Sequence, residues 1–118
     1  MRIRTLLGVV LACMALHGCS PAAGDAKRVE RGQRLLVHYQ CGACHSIPRV
    51  AAARGRVGPP LERWGGRSYI AGHLPNRPET LARWIAEPQA LVAQTAMPDM
   101  GVSDADAQAM AAYLMSLE

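Results

Sequence analysis

Apolar residues recur at helical spacing in three parts of the chain, and these parts predict three helices. The first pattern begins at Lys27 and leads into a pair of closely spaced cysteines. Its stripe of small and apolar positions comprises Val29, Gly32, Leu36 and Tyr39 or Gln40. We expect Gly32 to let another helix approach closely, with Tyr113 packing across it.

The second pattern includes residues that mark both the start and the end of a helix. Pro78 suits a first helical position, and Glu79 suits the first turn, where the helix dipole favours a negative charge. The apolar face consists of Leu81, Trp84 and Ile85. Pro88 is expected to end this helix, and the stretch from Gln89 to Leu91 is followed by residues without periodicity.

The third pattern runs to the end of the chain. Ser103 is the predicted N-cap, and Asp104 and Asp106 lie where the helix dipole is positive. Helical spacing is kept by Ala107, Met110, Ala111, Leu114 and Leu117. Since no strand pattern or repeat is evident, we expect an all-α fold of three main helices.

The segment from Ser46 to Arg77 is rich in glycine and proline, so it cannot form a long helix. A loop of this length in a compact domain needs a function, and wrapping a cofactor is one. Composition agrees, because the 118 residues include no Phe, two Trp and three Tyr. A single domain with so few aromatic residues would have a thin core, which a large apolar cofactor could fill.

The N-terminal residues have the features of an export signal. Arg2 and Arg4 precede an apolar run that is too short to span a bilayer comfortably. The run ends in Leu16-His-Gly-Cys19, which resembles the lipobox of bacterial lipoproteins. We therefore expect a signal peptide over residues 1–18, lipidation of Cys19, a tether over 19–26 and one domain over 27–118. The alternative is ordinary secretory cleavage near residues 22–23.

The net charge and the number of cysteines limit the classes of function that the chain can have. The net charge of +4 would fall to about +2 without the leader, and no basic block indicates nucleic-acid binding. Of the four cysteines, Cys13 lies in the leader and Cys19 is the expected lipid acceptor. Cys41 and Cys44 remain, and no pair is left for a structural disulfide.

Residues 41–45 read Cys-Gly-Ala-Cys-His, the attachment motif of a c-type haem. The sulfurs of Cys41 and Cys44 add to the two vinyl groups of the porphyrin. His45 can then supply an imidazole nitrogen as the proximal iron ligand. The motif predicts one covalent haem c, held between a leading helix and the loop that follows.

The opposite side of the iron needs a sixth ligand or stays open. Met97 is the favoured candidate, because it precedes Pro98 in a stretch that cannot be helical. Met100 is the competitor, and an absent ligand is the third possibility. His38 and His73 are weaker candidates, because a lone histidine usually has only a structural role. Met110 and Met115 fall within the last predicted helix, where a methionine more often packs than ligates.

The chain from about residue 27 to 118 resembles a class I c-type cytochrome with one haem. More narrowly, it resembles the bacterial cytochrome modules found with, or fused to, subunit II of haem-copper oxidases. The matching segments are residues 39–45, 57–61, 69–72, 74–76, 83–85, 96–99 and 112–114. The chain departs from the family pattern in two places. Arg77 stands where relatives usually have a small hydroxyl residue. Three arginines lie between residues 49 and 56, and their role is open.

The resemblance implies further site residues. The residue at Pro59 offers its carbonyl to the second ring nitrogen of the haem-ligating histidine. The residues at Arg67, Tyr69 and Trp84 would lie near the haem propionates, although a solvated charge and core packing are the alternatives. Pro59, Arg67, Tyr69 and Trp84 thus join the motif residues and Met97 as expected haem contacts.

The implied function is single-electron transfer in a bacterial respiratory chain, on the outer side of the membrane. The implied partners are redox proteins such as a haem-copper oxidase or a periplasmic dehydrogenase, with the membrane reached through the lipid anchor. No catalytic residue is implied. The alternatives are an open sixth site for gas binding or peroxide chemistry, a zinc site and a thioredoxin-like thiol pair.

Overall fold

The computed structural model describes residues 21–118. The predicted signal peptide, residues 1–18, and the expected lipidation site Cys19 lie outside the described residues. Among the described helices, none has the length and apolar character needed to cross a membrane.

Helix α1 spans Pro21–His38 and begins six residues before the predicted start at Lys27. Residues 21–26, expected to belong to a tether, are therefore helical. Residues 22–28 are exposed and pack on no core, so they carry no apolar stripe that would reveal a helix. Pro21 at the start is compatible with a helix, because a first-turn residue needs no backbone N–H partner.

The other two main helices agree with the sequence patterns. Helix α2 spans Pro78–Ala86, with Pro78 in its first turn and no side-chain cap from Arg77. A short helix, α3, follows at Pro88–Leu91 and was not predicted. Pro88 ends α2 as expected, but its fixed φ also suits a new helix start. Four residues are too few to show helical periodicity.

Helix α4 spans Asp104–Met115 and lies at the centre of the fold, against both α1 and α2. The backbone N–H of Asp106 donates to Ser103 Oγ at 3.3 Å, which confirms the predicted N-cap. The all-α fold with three main helices is likewise confirmed.

The crossing of α1 and α4 depends on Gly32. A Cβ atom at this position would collide with the carbonyl oxygen of Ala109 and lie 3.0 Å from the Cβ of Tyr113. The prediction that Tyr113 packs across Gly32 is therefore confirmed. The Tyr113 hydroxyl donates to the carbonyl oxygen of Pro48 at 2.6 Å, so α4 also holds the loop that follows the Cys-Cys-His motif.

Two short antiparallel strands were not predicted. Strand β1 spans Tyr69–Ile70 and strand β2 spans Leu74–Pro75, with Ile70 paired to Leu74. Between them Ala71 and Gly72 both have positive φ, which suits a tight hairpin turn. Two residues cannot show an alternating pattern, so sequence periodicity could not reveal these strands.

Candidate haem site

A cavity of about 300 Å³ lies between the helices and the long loop. Six of the eight expected haem contacts line this cavity: Cys41, Cys44, His45, Pro59, Trp84 and Met97. Most of the remaining wall is apolar and comes from all three main helices, including Leu36, Leu81, Ile85, Met110 and Leu114. The elements that were expected to surround a cofactor therefore enclose one space.

The attachment motif forms a tight turn directly after α1. Gln40 takes a left-handed conformation, with φ of 56°, and a 3-10 turn follows over Cys41–Ala43. The N–H groups of Cys44 and His45 both donate to the carbonyl oxygen of Cys41, at 3.2 and 3.0 Å. These bonds bring both sulfurs and the imidazole to the same cavity.

No disulfide joins Cys41 to Cys44, the two cysteines among residues 21–118. Burial raises the pKa of the Cys41 thiol, with a smaller contribution from Cys44 in the same direction. A raised pKa keeps the thiol protonated at neutral pH. Redox-active thiol pairs instead rely on a thiolate with a lowered pKa, and their strand-helix-strand setting is missing from residues 21–118. The thioredoxin-like interpretation is therefore not supported.

His45 is held by the backbone of the following loop. Its Nδ1 atom lies 2.7 Å from the carbonyl oxygen of Pro59. A carbonyl can only accept, so Nδ1 carries the proton and Nε2 keeps its lone pair for a metal. The ring also packs on Gly58, where an added Cβ would lie 2.8 Å from Nδ1. This arrangement is the one expected for a histidine that ligates iron.

Met97 lines the cavity together with its neighbours Thr95, Ala96 and Pro98. Its N–H donates to Thr95 Oγ1 at 3.2 Å, and its carbonyl accepts from Gln89 Nε2 at 2.7 Å. The backbone of Met97 is therefore fixed on both sides. Gln89 belongs to α3, which gives that short helix a role that the sequence did not reveal.

Met100, the competing methionine, is 44% exposed and does not line the cavity. His38 and His73, the weaker ligand candidates, are also exposed and do not line it. Of Met97, Met100, His38 and His73, Met97 alone contributes to the cavity wall. A second methionine, Met110 of α4, also lines the cavity and is 1% exposed.

The donor set fits haem. Two thiols and an imidazole with a free nitrogen surround an apolar cavity, together with a thioether. Imidazole and thioether are axial ligands of c-type haem iron, and an apolar wall suits a porphyrin. A zinc site is not supported, because residues 21–118 contain no group of three or more His, Cys, Asp or Glu that could hold a metal.

Arg67 does not line the cavity. Its guanidinium donates to the carbonyl oxygens of Pro60 and Glu62, at 2.6 and 3.0 Å, and lies over the ring of Trp64. It therefore braces the segment immediately after Pro59. Tyr69, the other expected contact outside the cavity wall, is 59% exposed.

Trp64 and Asn76 form a connection that the sequence analysis did not assign. Trp64 Nε1 donates to Asn76 Oδ1 at 3.1 Å, and Asn76 Nδ2 donates back to the Trp64 carbonyl at 3.0 Å. Trp64 also lines the cavity, so this pair fixes one wall. Residues 74–76 carry part of the family resemblance, but the sequence alone does not reveal this role of Asn76.

The helical fold and the Cys-Cys-His cavity define a c-type cytochrome domain. Residues 27–114 match the family model described as cytochrome C oxidase, cbb3-type, subunit III, and the chain belongs to this family. The resemblance to monohaem c-type cytochromes is thereby confirmed. Membership implies haem binding and haem-based electron transfer in a respiratory oxidase context.

One relative is the cytochrome c oxidase subunit 2 of Alkalihalophilus pseudofirmus, which is 35% identical over 89 residues. The alignment covers 75% of this chain and 25% of the relative, so the chain spans about a quarter of that protein's length. No solved structure matches the chain.

Proposed function

We propose that this protein carries single electrons through one haem, which Cys41 and Cys44 would hold covalently and whose iron His45 and Met97 would ligate. The observation that carries the proposal is the shared cavity. It brings together two thiols, an imidazole with Nδ1 bonded to Pro59, and a methionine with a fixed backbone.

Bound haem would supply reversible one-electron chemistry at its iron. The protein contributes the surroundings. The Pro59 carbonyl makes His45 a more basic ligand, whereas the neutral thioether of Met97 favours the reduced form and raises the potential. Hydrogen bonds hold His45 and the backbone of Met97, so these two segments would need little rearrangement through a redox cycle. Apolar residues such as Leu81 and Ile85 exclude water from the site.

We propose a haem-copper oxidase as the electron acceptor, on the basis of the family and of the relative, which is an oxidase subunit. A periplasmic dehydrogenase is an alternative redox partner. The leader and Cys19 support export to the outer side of the membrane with a lipid anchor there. Cys19→Ala should then move the protein from the membrane to the soluble fraction. A variant that stays membrane-bound with unchanged mass would contradict the anchor.

The function is tested on the native protein. Mass spectrometry should detect one added haem that survives acid-acetone extraction, and a mediated titration should give one reversible one-electron transition. The reduced protein should not bind carbon monoxide readily, because Met97 would already be bound to the iron. Extractable haem would rule out the covalent attachment. Ready carbon monoxide binding would favour the open-site alternative of gas binding or peroxide chemistry.

A further inference from the structure

The segment between α3 and α4, residues 93–102, carries the proposed iron ligand Met97, yet packing holds it only lightly. Residues 93–101 include no buried side chain, and Val102 is the first residue of the segment that reaches the core. Thr95 and Met97 are half-buried, and the remaining residues of 93–101 are exposed. A segment that buries so little opens more easily than the helices around it.

Most hydrogen bonds of this segment are local. The Thr95 N–H donates to the Val92 carbonyl at 3.0 Å, and the Met97 N–H donates to Thr95 Oγ1 at 3.2 Å. The Gly101 N–H donates to Asp99 Oδ1 at 2.8 Å. Such bonds shape the turns within the segment, but they do not fix its position relative to the helices.

One hydrogen bond ties Met97 to a different element of the fold. Gln89 Nε2, on α3, donates to the Met97 carbonyl at 2.7 Å. Among the hydrogen bonds within residues 21–118, no other joins residues 93–102 to a position more than three residues away. Because the side chains of the segment bury little, Gln89 supplies the connection that holds the Met97 backbone in place.

Helix α3 is well anchored, although it has only four residues. Pro88 is fully buried, and Leu91 and Val92 pack against the core. The Val92 N–H donates to the Pro88 carbonyl at 3.0 Å, which closes the helical turn. Gln89 is exposed, so its substitution should leave the core and the overall fold intact.

We propose that Gln89 is a positioning residue for Met97, and that its hydrogen bond determines how readily an external ligand replaces the thioether at the iron. The inference rests on the proposed electron-transfer function and adds the residue that would keep the sixth position closed. The thioether of Met97 is neutral, so no charge attraction would retain it, and its position depends on the backbone. When the Gln89 bond is absent, residues 93–101 open more often, and Met97 would leave the cavity with them.

This role has a measurable consequence at the proposed iron site. An external ligand binds only those molecules in which Met97 has left, so its apparent dissociation constant is the intrinsic constant divided by the open fraction. The loss of one hydrogen bond changes such a fraction by about fivefold. Removing the Gln89 donor should therefore tighten the binding of an external ligand.

The test uses the full-length haem-loaded protein in its oxidised form, with imidazole as the probe. Titration with imidazole, followed by loss of the absorption band of methionine bound to oxidised iron, gives the apparent dissociation constant. Gln89→Ala removes the side chain, whereas Gln89→Glu keeps its size and replaces the amide donor with an acceptor. The matched controls are Gln94→Ala and Gln94→Glu. Gln94 is exposed in the same segment, and its side chain makes no hydrogen bond within residues 21–118.

Both Gln89 variants should bind imidazole about fivefold more tightly than the wild type. The Gln94 variants should stay within about twofold of the wild-type affinity. Gln33→Ala removes a similar bond, to the Arg49 carbonyl in a different loop, and it should also stay within about twofold.

Hydrogen exchange, measured by mass spectrometry on peptides that cover residues 93–102, gives an independent readout. Exchange there should be faster in the two Gln89 variants and unchanged in the Gln94 and Gln33 variants, because only Gln89 holds this segment. Exchange in α1 and α4 should equal that of the wild type in both Gln89 variants. A general loss of stability would instead speed exchange in those helices as well.

The positioning role is overturned if either Gln89 variant binds imidazole with the wild-type affinity, or if Gln33→Ala tightens binding as much as Gln89→Ala. In these cases the methionine band and a reversible one-electron titration of the wild type leave the proposed function standing. If the wild type titrates reversibly but lacks the methionine band, the Met97 assignment and this inference fall, whereas electron transfer stands. If the titration itself fails, the proposed function and this inference fall together.

Discussion

The Nδ1 atom of His45 lies 2.7 Å from the carbonyl oxygen of Pro59, and this bond joins the attachment motif to the loop beyond it. The acceptor is a backbone atom, so its position depends on how the loop is held. Arg67 donates to the next carbonyl, that of Pro60, at 2.6 Å. The basicity of the proposed iron ligand is therefore linked to the conformation of residues 58–67.

Gly58→Ala should disturb this bond. The new Cβ would lie 2.8 Å from His45 Nδ1, so the imidazole must shift and its bond to the Pro59 carbonyl should be strained. A weaker hydrogen bond makes the imidazole less basic, and the midpoint potential should rise. Crowding should also cost about 1–3 kcal/mol in the free energy of unfolding. A mediated redox titration and urea unfolding measure the two effects.

Gly66→Ala is the matched control, because an added Cβ at that position has no heavy atom within 4 Å. Its potential should equal that of the wild type, and its stability should change by less than about 0.5 kcal/mol. Equal potentials for the two variants would mean that the His45–Pro59 bond does not tune the iron.

Gly32→Ala should strongly destabilise the protein, because the new Cβ would collide with the Ala109 carbonyl where α1 crosses α4. We expect a loss of about 3 kcal/mol or more in the free energy of unfolding. Gly24→Ala is the control in the same helix, since nothing lies within 4 Å of its Cβ. It should leave stability unchanged or raise it slightly, because alanine favours helix. Thermal unfolding of both variants tests the prediction, and equal midpoints would contradict it.

Asp106→Asn should reveal a pH-dependent contact between α1 and α4. The hydrogen bond from the Tyr39 hydroxyl, at 2.8 Å, lowers the pKa of Asp106, and the charge of Arg31 adds to this. Because the pKa of Asp106 is lower in the folded than in the unfolded protein, its ionised carboxylate stabilises the fold at pH values above the unfolded-state pKa, near 3.8. This stabilisation is lost as the pH falls through the folded-state pKa of Asp106.

The Asp106→Asn variant should therefore be less stable than the wild type at pH 7, by about 1 kcal/mol, the upper end for exposed ion pairs. The difference should shrink as pH falls below about 4, because the wild-type carboxyl then becomes protonated. Urea unfolding of both proteins across this pH range measures the difference in their free energies of unfolding. Asp25→Asn, at an exposed position of α1, should show no comparable effect. A difference that is constant with pH would contradict the assigned role of the carboxylate.

Much of the fold was predictable because local chemistry marks it. Pro78 and Ser103 sit at the starts of α2 and α4, where each satisfies the geometry of a helix N-terminus. The start of α1 was misplaced, because the exposed turns after Pro21 bury nothing and leave no periodic pattern. Helix α3 and the strands were missed because elements of two to four residues depend on their neighbours rather than on their own sequence.

The candidate site, like the fold, was only partly predictable from the sequence. The cysteines, His45 and Met97 were predicted from motif chemistry and from Pro98, and all of them line one cavity. Arg67 was expected near the propionates, but its partners are backbone carbonyls that only the folded loop presents. Gln89 holds the Met97 carbonyl and Gln33 holds the Arg49 carbonyl, and both bonds span distances in sequence that no local pattern encodes.

The most direct test of the account compares Met97→Ala with Met100→Ala in the haem-loaded protein, by visible spectroscopy and redox titration. Met97 lines the cavity, whereas Met100 is exposed. Met97→Ala should abolish the absorption band of methionine bound to oxidised iron, lower the midpoint potential and let the reduced protein bind carbon monoxide. Met100→Ala should change none of these. The account is contradicted if the Met97→Ala protein keeps the band and the wild-type potential, or if the wild type already binds carbon monoxide readily.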